Sequence, residues 1–253
     1  MILSNISKAI REQNWFAVVL EFVIVIAGVV IGFQINAWNK ARAERALGQT
    51  YKTLIVGEIE RQRADYQNMV SGSSSILQDV RIVAAAIDDP ESVRADPDHF
   101  ISAIWYSRYR GYRDTQRTVY DGMESSGRIA LIDDEGAVQE IRTFYRMVAR
   151  SDAILINDWN PWSRYNIALE GYLTADEIDA IMTARASGAP HQLFTADEAV
   201  ALAVRMRDDP EVVRLVRSIT THHYSVRSVA ESALVEANAV LANLGAPPPE
   251  TTP

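Results

Sequence analysis

The chain has 253 residues, 48% of them hydrophobic and 23% charged, with no cysteine and a formal net charge of −8. The lack of cysteine excludes a disulfide scaffold, a thiolate nucleophile, an iron–sulfur cluster and a cysteine-based zinc site. The acidic balance argues against a nucleic-acid binder, whose affinity rests on Lys and Arg against phosphate, and the apolar content excludes a disordered chain.

Polarity is spread unevenly. Residues 1–14 place Ile2, Leu3, Ile6, Ala9 and Ile10 on one stripe, which suits a segment lying on a membrane surface. From 22 to 33 no residue is polar. Extended to Trp15 and Trp38, the run covers 24 residues whose only strongly polar members are Glu21, Gln34 and Asn36. As a helix it is about 36 Å long, enough to cross a hydrocarbon core of about 30 Å. Trp15 and Trp38 suit the aromatic belts at the two interfaces, and Lys8, Arg11, Lys40, Arg42 and Arg45 lie just outside them. Residues 15–38 are therefore read as a retained transmembrane helix. A cleaved signal peptide needs small residues three and one positions before the cut, and Ile35 before Ala37 fits poorly. Basic residues flank both ends, so the positive-inside rule gives no orientation. Lys8, Arg11, Glu12 and Glu21 cancel, so the net charge of −8 belongs to the chain beyond the span.

At about 100° per residue, Ala17, Glu21, Gly28 and Gly32 share one face of this helix. Gly28 and Gly32 form a GxxxG motif, which lets two helix backbones approach closely. Self-association through this face shelters the Glu21 carboxylate, which is costly near a membrane without a partner. The plainer alternative places Glu21 at headgroup depth, hydrated, with the glycines passive.

After Trp38 apolar residues recur at three- and four-residue steps through Leu47, Tyr51, Leu54, Ile55, Ile59, Tyr66, Met69, Ile76, Leu77, Val80 and Val83. The spacing predicts a helix continuing from the span toward Ile87, with residues 71–75, Ser-Gly-Ser-Ser-Ser, as the expected place for a break or bend. Further helices are predicted from Pro97 through Trp105, from Asp114 to Gly127, and from Asp134 to Ile156. A short apolar connection at 129–132 separates the last two. Thr174 with Glu177 and Thr195 with Glu198 read as capping boxes. Asp209 and Pro210 open a last helix that runs to a stop at Gly245. No hairpin signal stands out. The predicted fold is all-α: an interfacial segment at 1–14, the span at 15–38, a helical extramembrane domain at 39–245 and a disordered tail at 246–253.

Three pieces of sequence carry a resemblance. They are Gln13-Asn14-Trp15-Phe16, then Glu21-Phe22-Val23-Ile24-Val25 with Gly28-Val29, then Gln34-Ile35-Asn36-Ala37-Trp38-Asn39. With the block at 118–127, Thr-Val-Tyr-Asp-Gly-Met-Glu-Ser-Ser-Gly, followed by Leu131-Ile132 and Phe144-Tyr145, the chain resembles a large family of uncharacterised bacterial proteins with one N-terminal span. The resemblance covers roughly residues 13–155. It implies a membrane-anchored helical protein and brings no catalytic residues. The basic N-termini of that family, typical of an inside end, point the domain toward the periplasm.

No reaction motif accompanies the anchor. Among the four histidines, His222 and His223 are adjacent and point to different faces, so they lack the i, i+4 spacing of a two-histidine metal grip. Asp96, Asp98 and His99 can touch a cation, but a solvated Asp-Pro loop explains them as well. Asp133-Asp134-Glu135 suits the negative start of a helix. Ser125-Ser126-Gly127 has no base nearby in sequence, and nucleophilic catalysis needs an oriented base. Trp159 and Trp162 with Tyr165 suit a packed corner between helices. The densest unusual patch is Arg108, Tyr109, Arg110, Tyr112 and Arg113, with Trp105 and Tyr106 before it and Arg117 beyond. Arginines among aromatics can hold an anion or stack at a protein interface. The plainer reading buries the aromatics and pairs the arginines with surplus carboxylates.

The expectation is a bacterial inner-membrane protein with no enzymatic activity, cofactor or metal. Its role is structural or scaffolding within a membrane complex. Its partners are the lipid bilayer, a second copy of itself, and other membrane or periplasmic proteins, with no nucleic acid. The alternative is a sensor or ligand-binding helical bundle whose Arg/Tyr patch recognises an anionic small molecule or partner protein.

Overall fold

The structure, a computed structural model, describes residues 15–111, 115–156, 161–187 and 193–246. Among these residues every regular element is helical. Helix α1 (Trp15–Asp88) leads through a 3-10 turn (Pro90–Ala95) to α2 (Pro97–Tyr106) and α3 (Thr118–Ser125). A second 3-10 turn (Arg128–Leu131) precedes α4 (Glu135–Ile156) and α5 (Pro161–Ala168). Helices α6 (Ala175–Ser187), α7 (Ala196–Arg207) and α8 (Pro210–Asn243) complete the chain order. The segments at 1–14 and after 246 lie outside the described residues, as do Trp159 and His191.

Helix α1 has 74 residues, roughly 110 Å at the rise of an α-helix. Its first part is exposed all round: Phe22 is 65% accessible, Phe33 72% and Trp38 59%. One window within it has a mean hydropathy of 2.2 and no buried residue, so it is long and apolar enough to cross a membrane. The break expected at 71–75 does not occur. The hydroxyl of Ser74 donates to the Val70 carbonyl (2.8 Å) and that of Ser71 to the Asn68 carbonyl (3.1 Å). These serines satisfy their hydroxyls within the preceding turn instead of competing with the ladder. Ser73 is wholly buried, so packing holds this stretch helical.

Caps set the other boundaries. Asp89 accepts from the Glu91 amide, and Asp96 from the His99 amide at 3.1 Å, each followed by proline. Asp98 accepts from the amides of Leu193 (3.1 Å) and Phe194 (2.9 Å), fixing the approach to α7. Thr195 and Glu198 form the reciprocal capping box of α7, and Thr174 with Glu177 repeats the exchange before α6. Of the helix expected from Asp114 to Gly127, Asp114 lies outside the described residues; α3 starts at Thr118 and ends at Ser125, two residues before Gly127, whose φ of 69° is left-handed.

Helix α8 runs antiparallel to α1 and makes the dominant pairing. Its Ala230, Ala233 and Ala237 are buried, which lets the two helices approach closely. The core falls into two parts along this pair. One holds Ile55 and Ile59 with Phe144, Tyr145, Val226 and Leu241. The other, farther from the apolar end of α1, holds Val80 and Val83 with Phe100, Ile104, Leu215 and Ile219. Both draw on α1, so the apolar N-terminal helix and the domain core share one uninterrupted backbone. Gly48 marks where the domain begins: a Cβ there would overlap the carbonyl oxygen of Leu131 in the second 3-10 turn.

Candidate functional site

Three places combine unusual residues with defined geometry. The first is the face of α1 bearing Glu21, Gly28 and Gly32. Nothing lies within 4 Å of a Cβ at either glycine, so this face is open to a second helix. The side chain of Ala17 is outside the described residues.

The second is the Arg/Tyr patch, which the structure divides. Arg108 joins the end of α2 to α5. Its carbonyl accepts from the Trp162 indole (2.7 Å) and the Asn166 amide (3.1 Å). Its Nε donates to Asn166, and its guanidinium lies 5.2 Å from the Trp105 ring centroid. Beneath it, Ser107 and Tyr165 are fully buried and their hydroxyls are 2.9 Å apart. Burial raises the Tyr165 phenol above its ordinary value, so it stays protonated. Arg117 sits at the start of α3, pairs with Asp121 at 2.9 Å and covers the Tyr120 ring. Tyr112 and Arg113 lie outside the described residues. Of the six residues singled out, Tyr109 and Arg110 face a common cleft.

That cleft has a volume of about 620 Å³. Asn68, Gly72, Ile76 and Asp79 of α1 form one wall, Tyr106, Tyr109, Arg110 and Gly111 a second, and Met182 and Arg185 of α6 a third. The rings of Tyr106 and Tyr109 stack with centroids 5.8 Å apart, and the Arg185 guanidinium stands 4.3 Å from the Tyr106 centroid. Partial burial pushes the Asp79 carboxyl up to about 6, against the opposing pull of His99 and Arg185. Gly111 adopts φ 65°, a conformation that suits glycine. A Cβ there would lie 3.1 Å from Ile76 Cδ1, 3.2 Å from Ser73 Oγ and 3.5 Å from His223 Nδ1. Behind this glycine, Ser73 and His223 are wholly buried and His222 is 9% exposed. Burial, helped by the neighbouring His222, lowers His223 to about 3, and burial with Arg110 lowers His222. Both imidazoles are therefore neutral at pH 7. Ser73 Oγ, His222 Nε2, both ring nitrogens of His223 and the buried Tyr106 hydroxyl have no hydrogen-bond partner among the described residues.

The third place carries no expectation from sequence. Glu58, 3% exposed on α1, turns its carboxylate onto the first turn of α3. It accepts from the amides of Val119 (2.6 Å) and Tyr120 (3.1 Å) and from the Tyr145 hydroxyl (2.6 Å). Arg117, at the N-cap position, supplies no side-chain cap, so a carboxylate from another helix takes that role. Gln62, 2% exposed, donates to the Gln116 carbonyl one turn further on. Tyr120 and Tyr145 stack at 4.0 Å. Burial pushes the Tyr66 phenol up to about 12, and Thr115 next to it donates to Asp152 at 2.9 Å. A signal for this network exists in the sequence. Glu58 and Gln62 interrupt the stripe formed by Ile55, Ile59, Tyr66 and Met69, so they lie on its buried face.

No protein family, curated protein or solved structure matches the chain.

Proposed function

We propose that this protein is a single-pass anchor and scaffold of a bacterial inner membrane. Its helical domain stands in the periplasm and its copies associate through the span. The observation that carries this reading is the continuity of α1, which is exposed and apolar from Val19 to Trp38 and becomes the central core helix from Ile55 to Ile87. An unbroken helix with no flexible joint transmits the position of one end to the other, which suits a scaffold fixed at a set distance and orientation from the bilayer. An exposed apolar surface of this size needs lipid or another helix to cover it. The open face at Gly28 and Gly32 supports pairing of two such helices. The resemblance to an N-terminally anchored family with basic N-termini favours the periplasmic side. The reading assigns no catalysis, cofactor, metal or nucleic acid, and its further partners are other membrane or periplasmic proteins.

A membrane two-hybrid assay tests association. Gly28→Leu with Gly32→Leu is expected to reduce the signal of the wild-type span at least several-fold, and an unchanged signal refutes pairing through this face. An alkaline phosphatase fusion after Pro253 tests the side, with activity expected for a periplasmic domain.

A further inference from the structure

We propose that the cleft where α1 leaves the span and meets α4 holds the headgroup of an amine-bearing zwitterionic phospholipid. The proposal rests on the reading of α1 as a membrane anchor, and not on which side of the membrane the domain occupies.

Position defines the class of ligand. The cleft has a volume of about 600 Å³, within the range usual for small-molecule sites, about 300–1,000 Å³. One wall is Ala41, Glu44 and Arg45 of α1, and the other runs from Ala130 through the second 3-10 turn to Arg142 of α4. Ala41 stands three residues past Trp38 and Arg45 seven, which is about 4.5 and 10 Å along the helix axis. A headgroup layer is about 5–8 Å thick. With Trp38 at the membrane interface, the cleft therefore opens at headgroup depth. Its width is fixed, because Gly48, three residues past Arg45, brings the α1 backbone against the Leu131 carbonyl with no room for a Cβ.

The charges select the headgroup. Glu44 is engaged by Lys40 at 3.9 Å, Arg142 by Glu124 at 3.2 Å, and Asp134 accepts from the Ala137 amide at 3.0 Å. Arg45 on the α1 wall, and Asp133 and Glu135 on the facing wall, are exposed and have no ion pair or side-chain hydrogen bond among the described residues. One guanidinium and two carboxylates on separate walls are complementary to a phosphate and an ammonium carried on one molecule. Arg45 donates to the phosphate oxygens, and the carboxylates accept from the ammonium N–H groups. An anionic headgroup would bring like charge against both carboxylates, and a trimethylated amine has no N–H to donate. Buried Ile132 and Val138 supply apolar lining for the glycerol end.

The test places the full chain in vesicles of phosphatidylcholine, alone or mixed equally with phosphatidylethanolamine or phosphatidylglycerol. Flotation with the vesicles and the melting midpoint of the domain are measured. A ligand that binds only the folded form raises that midpoint. Phosphatidylethanolamine is expected to raise it by at least about 3 °C over the other two compositions. Asp133→Asn with Glu135→Gln, at exposed positions, is expected to abolish this gain and to leave the midpoint in phosphatidylcholine within about 1 °C of the wild type. Arg45→Gln is expected to remove at least half of the gain. Comparing variants in the same bilayer separates headgroup binding from a general effect of lipid composition on the span. Protein that floats but gains nothing from phosphatidylethanolamine, an equal gain from phosphatidylglycerol, or a gain that survives in full in either variant overturns the headgroup site and leaves the anchor standing. Protein that does not float overturns both.

Discussion

Glu58 and Tyr145 are 87 residues apart in sequence and meet in a 2.6 Å hydrogen bond inside the core, the phenol donating to the carboxylate. The same carboxylate closes the first turn of α3, so one side chain ties α1, α3 and α4 together. Burial, with Glu58 beside it, raises the Tyr145 phenol above its ordinary value and keeps the donor proton in place. Glu58→Ala leaves two amides and one phenol without their acceptor. The expected cost is about 3–5 kcal/mol, read as a lower urea midpoint at constant m-value. A double-mutant cycle with Tyr145→Phe is expected to give a coupling of about 1–3 kcal/mol. A loss below about 1 kcal/mol would show that the network is not stabilising.

Gly48 offers a test of the junction between anchor and domain. A methyl group there meets the Leu131 backbone, which cannot swing away as a flexible side chain can. Gly48→Ala is expected to destabilise the domain by about 1–3 kcal/mol despite the gain in helix propensity. Gly28→Ala, where the space is open, is expected to leave the domain's melting midpoint unchanged. Equal effects at the two glycines would count against the close approach.

The buried histidines predict acid sensitivity. The folded protein holds His223 near 3 against an ordinary 6.5, so folding disfavours its protonated form. The associated stability is fully present above about pH 6.5 and is lost progressively as pH falls toward 3. The range at stake for His223 is on the order of 4 kcal/mol. Chemical denaturation at pH 7, 5.5 and 4.5 is expected to show falling stability. His223→Leu is expected to flatten that slope, and an unaltered slope would mean that another group carries it.

Asp79 behaves in the opposite sense. Its folded value near 6 lies above its ordinary 3.8, so its neutral form is favoured by folding. That contribution is present below about pH 3.8 and is lost as pH rises through 6. At pH 7.5 the charged carboxylate is a cost, which Asp79→Asn removes. After screening at this half-exposed site, the variant is expected to gain about 1 kcal/mol at pH 7.5 and nothing at pH 4, measured by denaturant midpoint.

Much of the architecture is legible in the sequence because it rests on local rules. The caps at Thr195 and Asp209 act within three residues of themselves, and they stand where the sequence placed them. The apolar stripe of α1 follows from helical geometry alone. The expected break at 71–75 failed because Ser and Gly weaken a helix only while nothing packs on it, and Ser73 is buried against neighbours from elsewhere in the chain. The described residues of the Arg/Tyr patch meet different neighbours for a related reason. Adjacent residues in a turn point in different directions, and their partners on α5 and α6 lie more than 50 residues away.

By itself the sequence determined an all-helical chain with one helix apolar enough to cross a membrane, its net charge belonging to the part beyond. Those properties depend on side-chain periodicity and transfer free energy, which need no knowledge of neighbours. Only the tertiary structure decided that Glu58 caps a helix it is not part of, that Gly48 admits the Leu131 backbone, and that Arg110 and Arg185 face one cleft. Each of these depends on the distance between residues far apart in the chain, and that distance is set by how α8 and the shorter helices pack along α1.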